Sequence, residues 1–220
     1  AASDVYKRQF FSIRAKAFDA AECCKDADAL RRWFADRHAV LLAGPGLGES
    51  AADVCKALLG RNAPWAGAVL DADGLNAAAR LLAEKAAFPH PAGELIVTPH
   101  PGEMARLTGH SAAEINADRE GTALRYAKAW NAVVVLKGAN TVIAGPDGRC
   151  AVNPTGSPGL SRGGSGDVLA GMTAALLACR LPAFEAASCA VYLHGAAADR
   201  AAALCGEYGM LPHDILPQLG

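Results

Sequence analysis

Short aliphatic runs alternate along this chain with longer alanine-rich stretches. The runs at 38–43, 66–71, 94–98 and 132–137 read as strands, and the stretches between them as helices, over 27–36, 50–59, 74–84, 102–107, 112–130, 166–179 and 183–204. Strands that alternate with helices point to parallel pairing through helical crossovers. A further pair at 141–144 and 149–152 is spaced as a hairpin, with Pro146, Asp147 and Gly148 supplying the turn. Ser111 followed by Glu114 three residues later forms a capping-box signature at the start of the 112–130 helix. The predicted class is α/β, with a mostly parallel central sheet between helical layers.

Glycines collect where predicted strands hand over to helices, at 44–48, 102, 138 and 156–166. In an open parallel sheet, ligands bind at those carboxyl ends. The pattern therefore predicts one extended site along one edge of the sheet. There is no internal repeat, low-complexity tract or interdomain linker, and 220 residues suffice for one domain with a substantial core.

The chain is 52% hydrophobic and 20% charged with a net charge of −1, so nothing in its balance calls for a nucleic-acid or anionic-membrane partner. The longest apolar stretch, 168–179, is too short for a bilayer and is broken by Gly171 and Thr173. Seven cysteines contain no CxxC pair, which suits free thiols in a reducing, cytoplasmic compartment better than disulfides or zinc. Residues 4–9, DVYKRQ, match a translation of the transposon end used in preparing sequencing libraries. Residues 1–9 are accordingly set aside as adaptor-derived, leaving 10–220 as the native domain.

The strongest chemical signal is NPTGSPGLSRGGSGD, residues 153–167, running straight into the apolar 168–179 stretch. Its glycines permit close backbone approach, and a helix start offers unpaired N–H groups to an anion. A carboxylate there, Asp167, is repelled by a phosphate and so needs a purpose. Accepting the proton of a hydroxyl that attacks a phosphoryl group is one; capping the helix is the alternative. Lys137 closes the run VVVLK and precedes Gly138, Ala139, Asn140 and Thr141, a lysine-glycine turn with phosphate-binding chemistry or simply a strand end.

In TPHPGE, Pro101 favours a first helical position, so His100 and Glu103 stand at a helix entrance. They are placed either to meet substrate or to cap. GPGLG at 44–48 is a strand-to-loop transition and not the dinucleotide fingerprint. Asp71 and Asp73 alternate at a strand end, available for magnesium, ribose or structural hydrogen bonds. His194 and Asp199, five apart in the 183–204 stretch, match no metal motif and read as packed or solvated.

Taken together, GPGLG, VLDADGLN, TPHPGEMARLTG, KGANT and NPTGSPGLSRGGSGDVLAGM stand in the order found in NAD(P)H-hydrate dehydratases, and the sequence resembles that family from about Val40 to its end. The resemblance implies a ribokinase-like three-layer α/β/α sandwich. It implies a lyase that phosphorylates the ring hydroxyl of hydrated NADH or NADPH from ADP or ATP with Mg2+, then releases phosphate. On this resemblance Asp167 is the base and a substrate contact, and Gly48 and His100 are further substrate contacts. Lys137, Gly138, Ala139, Asn140, Thr141 and Gly166 form the nucleotide site, and no residue is assigned to a metal.

The SGDVL form of the loop resembles the bacterial, ADP-using branch. Relatives of this kind form homo-oligomers, tetramers among them, and many carry an epimerase domain. They also begin with a glycine-rich strand–helix segment, whose place is taken here by the adaptor-like residues, and carry small residues where this chain has Ser161 and Arg162. Arg162 is expected either to bind phosphate or to obstruct it.

Overall fold

The computed structural model describes residues 38–59, 63 and 65–220, together with Arg32. The predicted 27–36 helix and the reading of residues 1–9 lie outside the described residues.

Six strands form one sheet in sequential order: β1 (Val40–Ala43), β2 (Gly67–Leu70), β3 (Glu94–Val97), β4 (Val133–Leu136), β5 (Val142–Ala144) and β6 (Cys150–Val152). The first four are parallel, and β5 and β6 are the predicted antiparallel hairpin. Right-handed crossovers between sequential parallel strands place consecutive helices on one face. That face carries α1 (Ala51–Leu58), α2 (Ala72–Ala83), α3 (Pro101–Thr108), α4 (Ala112–Ala117) and α5 (Arg119–Trp130).

The hairpin ends the series of crossovers and returns the chain to the carboxyl edge, where Asn153 N–H donates to the Thr141 carbonyl at 2.9 Å. From there the chain enters α6 (Ser165–Ala178) and α7 (Ala183–Cys205), which cover the opposite face. Side-chain alternation along each strand sorts the core accordingly. Leu70, Leu95, Val97, Val134 and Leu136 pack with Cys55, Leu75, Met104 and Ala127 of the first helical layer. Val69, Ile96, Val133, Val135 and Ile143 pack with Leu169, Leu177, Ala187 and Val191 of the second.

Two boundaries differ from the sequence reading. The 112–130 segment is two helices, because Asp118 leaves helical geometry (φ −141°, ψ 73°) and accepts from Gly121 N–H at 2.9 Å, starting a new helix. The Ser111–Glu114 capping box is present as read. Helix α2 begins at Ala72 and not at 74, so Asp71 is its N-cap residue and Asp73 lies in its first turn; the two do not alternate on a strand.

Candidate functional site

The carboxyl ends of β2 and β4 deliver an ion pair between a buried carboxylate and a partly exposed ammonium. Asp71, 1% exposed, places Oδ1 2.6 Å from Lys137 Nζ. Asp71 occupies a cap position yet accepts no cap bond, because its carboxylate is turned to the lysine. Glu103 Oε2 lies 3.8 Å from the same ammonium. The sequence reading offered Asp71 to magnesium, ribose or structural hydrogen bonds; the fold realises the last, with Lys137.

Glu103 also binds His100 N–H at 2.8 Å, while His100 Nδ1 accepts from Gly102 N–H at 3.0 Å and Glu103 N–H at 3.3 Å. This is a capping box with a histidine as its first member. With Nδ1 accepting, a ring proton sits on Nε2, 3.4 Å from Glu103 Oε1. The capping alternative is thus realised for His100, whose ring stays half-exposed at the edge of the site.

Lys137 leads into a turn closed by Thr141, whose hydroxyl donates to the Gly138 carbonyl at 2.9 Å and accepts from Gly138 N–H at 3.3 Å. Gly138 has φ +147°, and a Cβ there would meet the Arg119 guanidinium at 3.1 Å. Asn140 is left-handed at φ +56°. The backbone of 138–140 is therefore fixed and exposed.

Arg119 was missed by sequence reasoning. Its Nη2 donates to the Leu136 carbonyl at 2.8 Å and the Lys137 carbonyl at 3.3 Å, and burial lowers its pKa. The available signal was a cation at the first position of a helix, where the dipole disfavours it.

Above the ion pair lies the glycine-rich loop. A Cβ built on Gly166 would stand 3.4 Å from Lys137 Nζ and 3.6 Å from Asp71 Oδ2, so the two strand ends and the start of α6 converge there. The N-cap of α6 is Gly164 in the left-handed region, and no side chain caps this end. Asp167 sits in the first turn, exposed and bound to no cap N–H, which removes the capping alternative for it. Arg162 is turned aside, donating to the Tyr208 carbonyl.

Gly48, at the far side of the edge, donates its N–H to Asp73 Oδ2 at 2.8 Å. Beside it opens a cavity of about 440 Å³ lined by Gly48, Asp73, Asn76, Arg80 and Arg106. Among the described residues no group of three His, Cys, Asp or Glu side chains could hold a metal ion. Nor is any helix there long and apolar enough to cross a membrane.

Comparison with known proteins decides the family: residues 9–219 match the NAD(P)H-hydrate dehydratase family. The chain belongs to it. This dehydratase-family chain is 49% identical over 180 residues to the bifunctional NAD(P)H-hydrate repair enzyme Nnr of Moorella thermoacetica, covering 80% of itself and 33% of that protein. It is 38% identical over 189 residues to the ADP-dependent (S)-NAD(P)H-hydrate dehydratase of Bacillus subtilis, covering 84% of itself and 64% of that protein. The chain thus spans about a third of the bifunctional relative and just under two thirds of the single-activity one.

The crystal structure of the Bacillus subtilis ADP/ATP-dependent NAD(P)H-hydrate dehydratase, grown with ATP and Mg2+, superposes with a TM-score of 0.72 at 36% identity, over 87% of this chain and 68% of that one. A ribokinase-like superfamily protein from Enterococcus faecalis gives 0.74 at 27% identity, over 90% and 69%. The fold is ribokinase-like, as the sequence motifs implied.

Proposed function

We propose that this chain dehydrates hydrated NADH or NADPH, NAD(P)HX, back to the dihydronicotinamide, driven by ADP as the preferred phosphate donor or by ATP. One observation carries the reading: an exposed Asp167 without a capping partner stands in the first turn of α6, beside Gly166 and the Lys137–Asp71 pair. The names of the Bacillus subtilis and Neisseria meningitidis relatives, both ADP-dependent dehydratases, support it.

In this mechanism the nucleotide lies along the exposed 138–141 turn and Gly166, with Mg2+ arriving on its phosphates. The unpaired N–H groups at the start of α6 receive the charge of the transferring phosphoryl group. Asp167 accepts the proton of the ring hydroxyl as its oxygen attacks that group. The nucleotide departs one phosphate shorter. Phosphate then leaves with the ring oxygen, and loss of a proton from the neighbouring carbon restores the double bond. Gly48, beside the cavity, and His100, at the start of α3, contact the substrate.

Lys137, already paired, acts by holding this floor as much as by meeting phosphate. A reducing compartment, the cytoplasm, suits the free thiols Cys55, Cys150, Cys179, Cys189 and Cys205. Apolar side chains exposed on and beyond α7, among them Tyr192, Leu204, Tyr208 and Leu216, favour assembly into a homo-oligomer. The bifunctional relatives make an epimerase the natural functional partner.

The test is recovery of dihydronicotinamide absorbance from hydrated NADH with ADP, with ATP and with neither. Recovery that needs a nucleotide and releases free phosphate is expected. A phosphorylated product that persists would make the chain a kinase of small alcohols instead.

A further inference from the structure

Two polar side chains at the base of the glycine-rich loop have no role in the mechanism above. Ser165 is 3% exposed and His194, on α7, is 5% exposed; Ser165 Oγ and His194 Nε2 both lack a hydrogen-bond partner. They meet at one place, since the His194 ring faces the backbone of Ser165, the first residue of α6. Nε2 being unpartnered, the ring nitrogen able to donate to that backbone is Nδ1. Asp167 follows two residues later.

Helix α7 grips the rest of the loop as well. Its Tyr192 carbonyl accepts from Thr155 Oγ1 at 3.1 Å, and Asp199 Oδ2 accepts from Gly156 N–H at 3.1 Å. A Cβ on Gly195 would run within 2.2 Å of Thr155 Oγ1, so the helix backbone and the loop are in direct contact. The 153–167 loop is thus mounted on α7 from Tyr192 to Asp199, and within that stretch His194 reaches the start of α6.

A buried imidazole with an unpaired nitrogen is costly, and an apolar side chain of similar volume would be the cheaper filling. Its presence calls for a use. Burial pushes its pKa down to about 4, which keeps the ring neutral. It can then donate one N–H to a carbonyl without adding charge beneath the loop.

We propose that His194 is a positioning residue: through Nδ1–H and the Ser165 backbone it fixes the first turn of α6, and with it the amide groups and the Asp167 carboxylate that act on the phosphoryl group. The inference rests on the dehydratase reading above. Catalytic groups work when their geometry is locked by neighbours that do not themselves touch the reacting atoms, and a small misplacement costs rate before it costs binding.

The experiment compares His194→Leu, His194→Gln and His194→Asn with the unaltered chain, measuring kcat and KM for the nucleotide below each protein's melting temperature. Asn sets its amide N–H where Nδ1–H stands; Gln reaches the Nε2 position; Leu offers neither. The Leu and Gln proteins should lose about 10- to 100-fold in kcat with nucleotide KM changed less than about 3-fold, and Asn should regain most of the loss.

Equal kcat in the Leu protein overturns the role, and so does equal kcat in Asn and Gln should Leu not fold. The two readings fail differently. Nucleotide-dependent turnover in the unaltered chain with no kcat loss in the variants removes only the role of His194. No turnover in the unaltered chain removes the dehydratase reading and this role together.

Discussion

Two regions meet at the carboxyl edge of the sheet, and they are built on opposite principles. The floor, made by Asp71, Glu103 and Lys137, is a closed set of charges. Asp71 and Glu103 are buried, and both lie against one ammonium, at 2.6 and 3.8 Å. The rim, residues 153–167, leaves groups open: an exposed Asp167 and an uncapped helix start. Charges that satisfy one another hold a structure together, whereas open valences on a rigid mount are available to a ligand. The difference teaches that a charged residue at a strand end is not thereby a ligand residue.

The comparison breaks or holds first on Asp167. In Asp167→Asn, turnover should fall by about 10²–10⁴, equivalent to about 3–5 kcal/mol in the barrier. The folded state, which draws only a small helix-dipole contribution from this exposed carboxylate, should change by less than about 0.5 kcal/mol. Steady-state kinetics and urea unfolding on the same preparation check both halves. A large loss of stability with turnover intact would move Asp167 from the rim's chemistry into the framework.

The floor should answer in the opposite way. Removing one partner of a fully buried pair costs about 3–5 kcal/mol. Lys137 is partly exposed and retains Glu103, so Asp71→Asn is expected to cost about 2–3 kcal/mol. Denaturant midpoints measure it. A cycle with Lys137→Met should show that the two substitutions are not additive, with a coupling above about 1 kcal/mol. Additive losses would mean that the pair is not the unit described here.

Much of this fold was legible in the sequence, and the reasons are physical. Buried parallel strands are short aliphatic runs, and the β-branched VVVL at 133–136 is one of them. The hairpin turn was legible because Asp147, Gly148 and Arg149 interact locally. What escaped depends on partners far away in the chain. The break at Asp118 is decided by a side chain competing for Gly121 N–H. The pairing of Asp71 with Lys137 spans 66 residues, and no window of sequence contains both. Arg119 escaped for the same reason, while His194, read as packed or solvated, is indeed packed, and only its meeting with the backbone of another element was out of reach. The glycine-rich rim was legible as a candidate because its signal is contiguous.

His194 sharpens the comparison through pH. In the unfolded chain its ring takes a proton as pH falls through about 6.5, but in the folded chain only near about 4, because burial disfavours the cation. Between those values the unfolded state binds more protons, so stability is complete above about pH 7 and declines as the medium is acidified. The expected decline from this group between pH 7 and pH 4.5 is about 2 kcal/mol. It is read as the difference in unfolding free energy between the unaltered chain and His194→Asn across that range. Parallel pH profiles would show that His194 is not held neutral in the fold.

The smallest expected effect separates capping from substrate contact at His100, which stands between floor and rim. Its Nδ1 satisfies two backbone N–H groups at the start of α3. Asparagine is among the best N-cap residues and alanine among the poor ones. His100→Ala should therefore cost about 1 kcal/mol, while His100→Asn should stay within about 0.5 kcal/mol of the unaltered chain. Neither variant keeps the imidazole, whose Nε2 side remains half-exposed at the edge. If the ring also meets substrate, the KM for the hydrated dinucleotide rises in both, whatever their stability. A rise confined to the alanine protein would make His100 a cap alone, part of the floor.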